Sequence, residues 1–157
     1  MRKPCVFLLC LCWLVFANLR QPLSAQDTVS RSDQAISTTV CELTKNGAQS
    51  NGKRVSIRAG VVGGFGHGIL LFDLKKHCPH GLSMDAPETV RDHDDYKAFE
   101  HALYGEGGAI GALRKKGDKR VSATFVGTFE YRPSEPRLKW VLQVERISNI
   151  EVKPKGA

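Results

Sequence analysis

The sequence predicts a mainly β protein in which five short strands close into one small barrel. Three observations favour this class: segments in which apolar and polar residues alternate, glycine- and proline-containing turns between them, and one helical pattern after the third strand. A chain of 157 residues fits one domain with a leader. With 41% apolar and 25% charged residues, collagen-like, low-complexity and wholly disordered classes are excluded.

The first 25 residues have the layout of a secretory signal peptide. Arg2 and Lys3 give a positive start, an apolar run covers residues 5–17, and Leu-Ser-Ala ends at Ala25. The run is shorter than the roughly 20 residues that cross a bilayer. We therefore expect cleavage after Ala25, with Ala17 as the alternative. The mature chain would be exported, periplasmic or secreted, and without a membrane span.

Cleavage changes the charge and the cysteine count. The signal holds Arg2, Lys3 and Arg20 and no acid, so 23 basic residues become 20 against 16 acids and the formal charge falls from +7 to +4. Of the five cysteines only Cys41 and Cys78 remain. In an exported chain this pair predicts a disulfide, which would restrict the unfolded chain by about 4 kcal/mol. The alternatives are a zinc site, which lacks any C-x-x-C spacing here, and a catalytic thiol.

The mature chain divides into three parts. Residues 26–37 are polar and lack periodicity, so we expect a flexible leader. The barrel domain is expected over residues 38–153, followed by a tail at 154–157. At the start of the domain, Thr38 or Thr39 is expected to cap a short helix.

Turn signals and the alternation of apolar and polar residues predict the strands. Asn51-Gly52 predicts a turn before the first strand, in which Val55, Ile57, Ala59 and Val61 share one face. The glycine-rich residues 63–68 superficially resemble a nucleotide loop, but they join two strands, so we expect a hairpin. The expected strands cover residues 54–62, 69–74, 81–84, 121–131 and 138–144, with 147–152 as an extension of the last.

One helix is expected between the third and fourth strands. Acidic residues 92–95 suit its N-terminus, and Tyr96, Phe99 and Leu103 form its apolar stripe. Closing the strands into a barrel removes exposed sheet edges. Five strands with a helix in this position, after a short N-terminal helix, are the layout of an OB-like barrel.

Several segments resemble small exported bacterial proteins that have an OB-like barrel and no assigned activity. The resemblance is carried by VCELTKNGAQSNGKRVSIRAGVVGGFGHGILLFD at residues 40–73 and by Cys78-Pro79. Thr-Phe-Val-Gly-Thr-Phe at 124–129 and Val-Glu-Arg-Ile-Ser-Asn-Ile at 144–150 are similar to the closing strands of that group. The resemblance implies the fold and supplies no function.

The segment Asp85-Ala86-Pro87-Glu88-Thr89 resembles the catalytic segment of staphylococcal-nuclease-like enzymes. That resemblance implies Asp85 as a Ca²⁺ ligand and Glu88 as a general base in a metal-dependent phosphodiesterase. The rest of the pattern departs from the family: no Gly-Asp-Thr lies upstream, and His80 stands where the family carries an arginine. We therefore expect an ordinary loop leading into a helix, with no catalytic residues.

Two further groups of residues suggest binding chemistry. Zn²⁺ or Cu²⁺ candidates are His77, His80, Asp92 and His93, but their spacing matches no H-x-x-x-H or H-E-x-x-H motif, so we expect neither metal nor cofactor. Residues 114–157 hold 11 bases and 5 acids. The basic cluster there consists of Arg114, Lys115, Lys116, Lys119 and Arg120, which we interpret as a solvated face.

The sequence therefore favours a binding or interaction module of the cell envelope without enzymatic activity. The alternative is a divalent-metal-dependent phosphodiesterase that uses Asp85 and Glu88. The partner of the binding module would be an envelope component or a small ligand. Nucleic acid is not the expected partner, because export separates the chain from it and the aromatic residues Phe125, Phe129 and Trp140 lie on apolar, core-facing strand positions.

Overall fold

A closed five-stranded barrel forms the body of the described chain, with one added strand and four short helices. The computed structural model describes residues 34–64, 68–75, 77–105 and 119–154, leaving aside the side chain of Lys119. In chain order the elements are β1 Ile36–Thr38, α1 Val40–Lys45, α2 Gly47–Ser50, β2 Arg54–Gly64, β3 Gly68–Asp73, β4 Leu82–Asp85, α3 Glu88–Arg91, α4 Asp94–Tyr104, β5 Lys119–Tyr131 and β6 Trp140–Pro154.

The barrel runs β2–β3–β4–β6–β5 and closes when β5 pairs with β2. All of these pairings are antiparallel except that of β4 with β6, which is parallel. β4 is the shortest barrel strand and forms three residue pairs with each neighbour. The predicted class, an OB-like barrel with a helix after its third strand, is confirmed.

The alternation predicted for β2 places one of its faces in the core. Val55, Ile57, Ala59 and Val61 are all buried. They meet inward side chains of the other strands and of the helices, because successive residues of a strand point to opposite faces. Among the largest fully buried side chains are Phe99, Phe125, Phe129, Ile57, Leu71, Leu82, Leu142 and Ile147. Burial of each contributes about 1.5–3 kcal/mol to folding.

β1 was not expected from the sequence. Ile36 and Ser37, which we expected within the leader, pair in parallel with Val55 and Ser56 of β2. β3 pairs with β2 only from Ala59 onward, so β1 covers the part of that edge that β3 leaves open.

The short N-terminal helix α1 begins as predicted. Thr39 is its N-cap: the Glu42 amide donates to the Thr39 hydroxyl at 3.2 Å, and the Thr39 amide donates to the Glu42 carboxylate at 3.2 Å. This reciprocal capping satisfies amide groups that have no partner within the helix. Val40 and Leu43 are buried against the barrel.

The helical segment after β4 is divided in two. α3 forms one turn, and α4 starts at Asp94, two residues after the first acid of the predicted segment. Tyr96 and Phe99 of α4 are buried, and the Phe99 ring meets the Phe125 ring edge-on with centroids 5.6 Å apart. α4 therefore packs its apolar stripe onto the barrel core. No helix within the described ranges is both long and apolar enough to cross a membrane.

β5 and β6 form the longest pairing, which contains two irregularities. One lies between Val126 and Gly127, where Glu145 is the extra residue of β6. A Cβ at Gly127 would run into the Gln143 carbonyl, so this close approach requires glycine. The other lies where Asn149 has a φ of 51°. Leu138, expected in the last strand, lies before it and is exposed.

Candidate functional site

A pocket of about 330 Å³ lies between the two N-terminal helices and the ends of β5 and β6. We call it the Trp140 pocket. It is lined by Thr44, Lys45, Asn46, Gly47, Ala48, Gln49, Tyr131, Lys139 and Trp140. The α1–α2 wall is fixed to the barrel because Asn51 Oδ1 accepts a hydrogen bond from the Tyr131 amide at 2.8 Å. The pocket therefore joins residues that are about ninety positions apart in the chain.

The Trp140 ring lies close to the side chains of Lys139 and His80. The Lys139 ammonium lies 4.9 Å from the centre of the Trp140 ring and 5.9 Å from that of Tyr131. The His80 ring lies with its centroid 4.7 Å from that of Trp140. A cation over an aromatic face is attracted by the electron-rich ring, so the Lys139 side chain is held at the pocket.

The indole N–H of Trp140 has no hydrogen-bond acceptor among the described residues, although the nitrogen is buried. A buried donor without an acceptor costs about 1–3 kcal/mol. The nitrogen lies 3.2 Å from the point that a Cβ at Gly47 would occupy. The same Cβ would lie 2.7 Å from Tyr131 Cδ2, so glycine allows α2 to lie directly on the two aromatic side chains.

The pocket has a positive charge that is not neutralised. Lys45 and Lys139 line it, and neither forms an ion pair with any carboxylate that the structure describes. No lining residue is acidic. The Asn46 and Gln49 side chains add amide groups that can donate or accept hydrogen bonds. This arrangement can bind an anionic group and hold its substituents by hydrogen bonds.

The disulfide connects the two sides of this region. Cys41 of α1 is bonded to Cys78 of the β3–β4 loop, with Cα atoms 5.6 Å apart. His80, which contacts Trp140, follows two residues after Cys78. The predicted pairing is thus present, and it links α1, which forms one wall of the Trp140 pocket, to the loop whose His80 ring contacts Trp140.

The residues of the nuclease-like segment do not line this pocket. Asp85 ends β4 on the outer face of the barrel, where its Oδ2 accepts a hydrogen bond from Gln143 Nε2 at 3.1 Å. Glu88 is exposed at the first position of α3. Neither lines the Trp140 pocket, and the nearby Arg91 donates to the Ala86 carbonyl at 2.7 Å.

The histidine candidates are dispersed among the elements. His77 and His80 lie in the β3–β4 loop, whereas Asp92 follows α3 and His93 precedes α4. Within the described ranges, the group of three potential metal ligands whose atoms all lie within 4.8 Å of one another is Cys41, Asp73 and Cys78. Both sulfurs of that group are in the disulfide.

The basic cluster falls mostly outside the described residues. This applies to Arg114, Lys115 and Lys116 and to the side chain of Lys119. Arg120 is exposed near the start of β5, and its neighbour Val121 points into the core. The Arg120 side chain therefore lies on the outer face of the barrel.

The Trp140 pocket was not predicted from the sequence. Trp140 was expected in the core. The side chain packs against the core, but it is only partly buried and it lines the pocket. The useful signal was Lys139-Trp140 directly after the Pro-containing turn, since a lysine beside a tryptophan at a strand end places a cation near an aromatic ring.

Comparisons with protein-family models, curated proteins and solved structures yield no match.

Proposed function

We propose that the chain is exported and acts, without catalysis, as a binding module of the cell envelope whose ligand occupies the Trp140 pocket. The observation that carries this proposal is the pair of lysines, Lys45 and Lys139, that line the pocket without an ion-pair partner among the described residues. No lining residue is acidic, and Asn46 and Gln49 add hydrogen-bonding amides. A pocket with two cations and no acid is suited to an anionic ligand.

The size of the pocket limits the ligand. Small-molecule sites enclose about 300–1,000 Å³, and the volume of about 330 Å³ lies at the lower end. The bound part is therefore about one ring with its substituents. A carboxylate or phosphate on that ring would meet the ammonium groups of Lys45 and Lys139.

The position of the pocket in the fold supports the same proposal. OB-type barrels bind oligosaccharides and oligonucleotides partly through the loop between their last two strands. In this barrel Tyr131 ends β5 and Trp140 begins β6, so the pocket lies at the base of that loop. This is an analogy between folds, and the ligand class rests on the charges of the pocket.

The fluorescence of Trp140 gives the proposal a direct test. Only Trp13 and Trp140 are tryptophans, so cleavage after Ala25 leaves Trp140 alone and its fluorescence reports on the pocket. The processed protein is titrated with acidic and neutral oligosaccharide pools from digested envelope, and with glucuronate and glucose as defined probes. We expect a saturable change with the acidic pool and with glucuronate, and none with the neutral pool or glucose.

Charge variants complete the test. Lys45→Gln should weaken binding of the acidic pool at least fivefold, because one ammonium group of the pocket is lost. Lys97→Gln on the exposed side of α4 removes the same charge elsewhere and should bind like the wild type. Equal responses to acidic and neutral pools, or unchanged binding by Lys45→Gln, would overturn the proposal.

A further inference from the structure

The outer face of the β2–β3 hairpin is apolar. Because Ala59 and Val61 point into the core, Gly60 and Val62 lie on the outside. Their partners on β3 are Phe72 and Leu70, which share this face. We use the name outer hairpin face for Gly60, Val62, Leu70, Phe72, Leu74 and Gly81.

Two glycines make this face flat. A Cβ at Gly60 would lie 2.5 Å from Cε2 of Phe72 and 3.0 Å from Cδ2 of Leu74, so both side chains lie across the glycine. A Cβ at Gly81 would lie 2.6 Å from Cγ of Leu70. The resulting apolar surface remains accessible: Val62 is 54% exposed, Leu70 42% and Leu74 48%. Accessible apolar side chains that lie together on one face are typical of protein or membrane interaction sites.

Basic side chains border the outer hairpin face. Gly60 and Val61 of β2 pair with Ser122 and Val121 of β5. Because these strands are antiparallel, the next residue of β2, Val62, lies beside Arg120 on the outside of the barrel. Arg120 in turn pairs with Lys153 of β6, which is also exposed. On the other side, exposed Lys75 follows Leu74 directly. Glu151, an acid on the same outer surface, forms ion pairs with Arg58 and, at 3.5 Å, with Lys153.

We propose that the outer hairpin face docks on a membrane surface that carries anionic lipids. Val62, Leu70 and Leu74 enter the boundary between headgroups and acyl chains, while Arg120, Lys153 and Lys75 contact lipid phosphates. Apolar side chains bordered by cations suit such a surface, because burial and attraction to anionic headgroups act together. None of these residues lines the Trp140 pocket, so this inference does not depend on the proposed ligand.

The test measures how much processed protein floats with vesicles. Vesicles of phosphatidylcholine with roughly 30% phosphatidylglycerol, whose anionic headgroups give a negative surface potential, are compared with pure phosphatidylcholine. We expect binding to the anionic vesicles that decreases at least fivefold when salt is raised to about 0.5 M, where charges are screened within a few ångströms. Equal binding to both vesicles would overturn the charge part of the proposal.

Variants identify the surface. The double variant Val62→Ser and Leu70→Ser should reduce the bound fraction at least fivefold. Leu138→Ser is the matched control, because Leu138 is 43% exposed and lies in the β5–β6 loop. Arg120→Gln with Lys153→Gln should weaken binding and its dependence on salt. If the double serine variant does not fold by circular dichroism, Leu70→Ser alone replaces it.

Two further outcomes would contradict the proposal. One is binding of the folded serine variant at the level of the wild type. The other is a wild-type dimer in sedimentation velocity that the serine variant abolishes, without binding of either protein to vesicles. The second outcome would identify the outer hairpin face as an interface between two copies of this chain.

Discussion

The Cα atoms of Cys41 and Cys78 lie 5.6 Å apart, and their disulfide joins α1 to the loop that brings His80 against Trp140. The bond closes a sequence separation of 37 residues. It therefore restricts the unfolded chain and at the same time links α1 to the loop that carries His80. This double role leads to the first prediction.

Replacing both cysteines by serine should lower the free energy of unfolding by about 4 kcal/mol, because the unfolded chain gains the freedom that the closed loop removed. Urea unfolding followed by circular dichroism measures the change. Trp140 fluorescence in the folded variant should also change, since His80 is no longer tethered near the ring. Two free thiols in the unreduced wild-type protein, detected by thiol titration, would contradict the prediction.

Gly47→Ala should destabilise the protein by about 1–3 kcal/mol, the usual cost of overpacking. The new methyl group would lie 2.7 Å from Tyr131 Cδ2, so α2 or the aromatic rings must move. The same substitution should shift Trp140 emission. Ala48→Ser is the control, because Ala48 is the exposed neighbour on the same helix. Equal free energies of unfolding for the two variants would show that the close approach at Gly47 does not affect stability.

Phe99→Ala should cost about 3–5 kcal/mol, since it leaves a cavity in the core. The Phe99 side chain is fully buried and meets Phe125 edge-on. Phe99→Leu keeps most of the volume and should cost much less. Thermal and urea unfolding measure both variants. Similar losses for the two would indicate that the aromatic contact, and not the filled volume, stabilises α4 on the barrel.

Alkaline pH should destabilise the protein through Tyr96. Burial, and then the neighbouring Glu100, raise the pKa of Tyr96 above its usual value of 10.0. Because the folded state holds this proton more tightly, the contribution is fully present below pH 10 and is lost as pH rises through the raised pKa. The free energy of unfolding should be measured from pH 8 to pH 12, a range that brackets the ordinary tyrosine pKa of about 10.

The matched variant for this effect is Tyr96→Phe. It keeps the buried ring but has no proton to release, so its stability should fall less steeply above pH 10. Tyr104, whose pKa burial also raises, remains in both proteins and contributes equally to both curves. Parallel curves for the wild type and Tyr96→Phe would contradict the assignment to Tyr96.

The protein should not hydrolyse DNA in the presence of Ca²⁺. Asp85 is hydrogen-bonded to Gln143, and Glu88 is exposed on α3 without lining the Trp140 pocket. Release of acid-soluble nucleotides should equal that of buffer. The opposite result would be hydrolysis by the wild type that both Asp85→Asn and Glu88→Gln abolish, which would establish the phosphodiesterase alternative.

The barrel was predictable because its strands show their two faces in the sequence. The alternation of Val55, Ile57, Ala59 and Val61 specifies a half-buried strand without reference to the rest of the chain. β1 was missed because three residues beginning at Ile36 are too few to show a period, and their conformation depends on pairing with β2. Local pattern therefore predicts an element only where burial acts on enough consecutive residues.

The candidate site was not predictable for a related reason. The pocket brings together Lys45, Tyr131 and Trp140. This requires that the barrel is closed and that Asn51 is hydrogen-bonded to the Tyr131 amide at the end of β5. In contrast, Asp85 and Glu88 form a recognisable local motif, yet neither of them lines the Trp140 pocket. Adjacent residues are easily recognised, whereas a pocket built from distant segments leaves no local spacing to detect.

The brevity of β4 has a consequence for the motions of the barrel. This strand contributes three residue pairs on each side, whereas β5 and β6 are paired over more than ten. Local opening of a protein begins where the fewest bonds must break. Amide hydrogens of Ser83 and Met84 should therefore exchange with solvent before those in the middle of β5. The barrel would open where β4 pairs with β3 and β6, and the other strand pairs would remain intact.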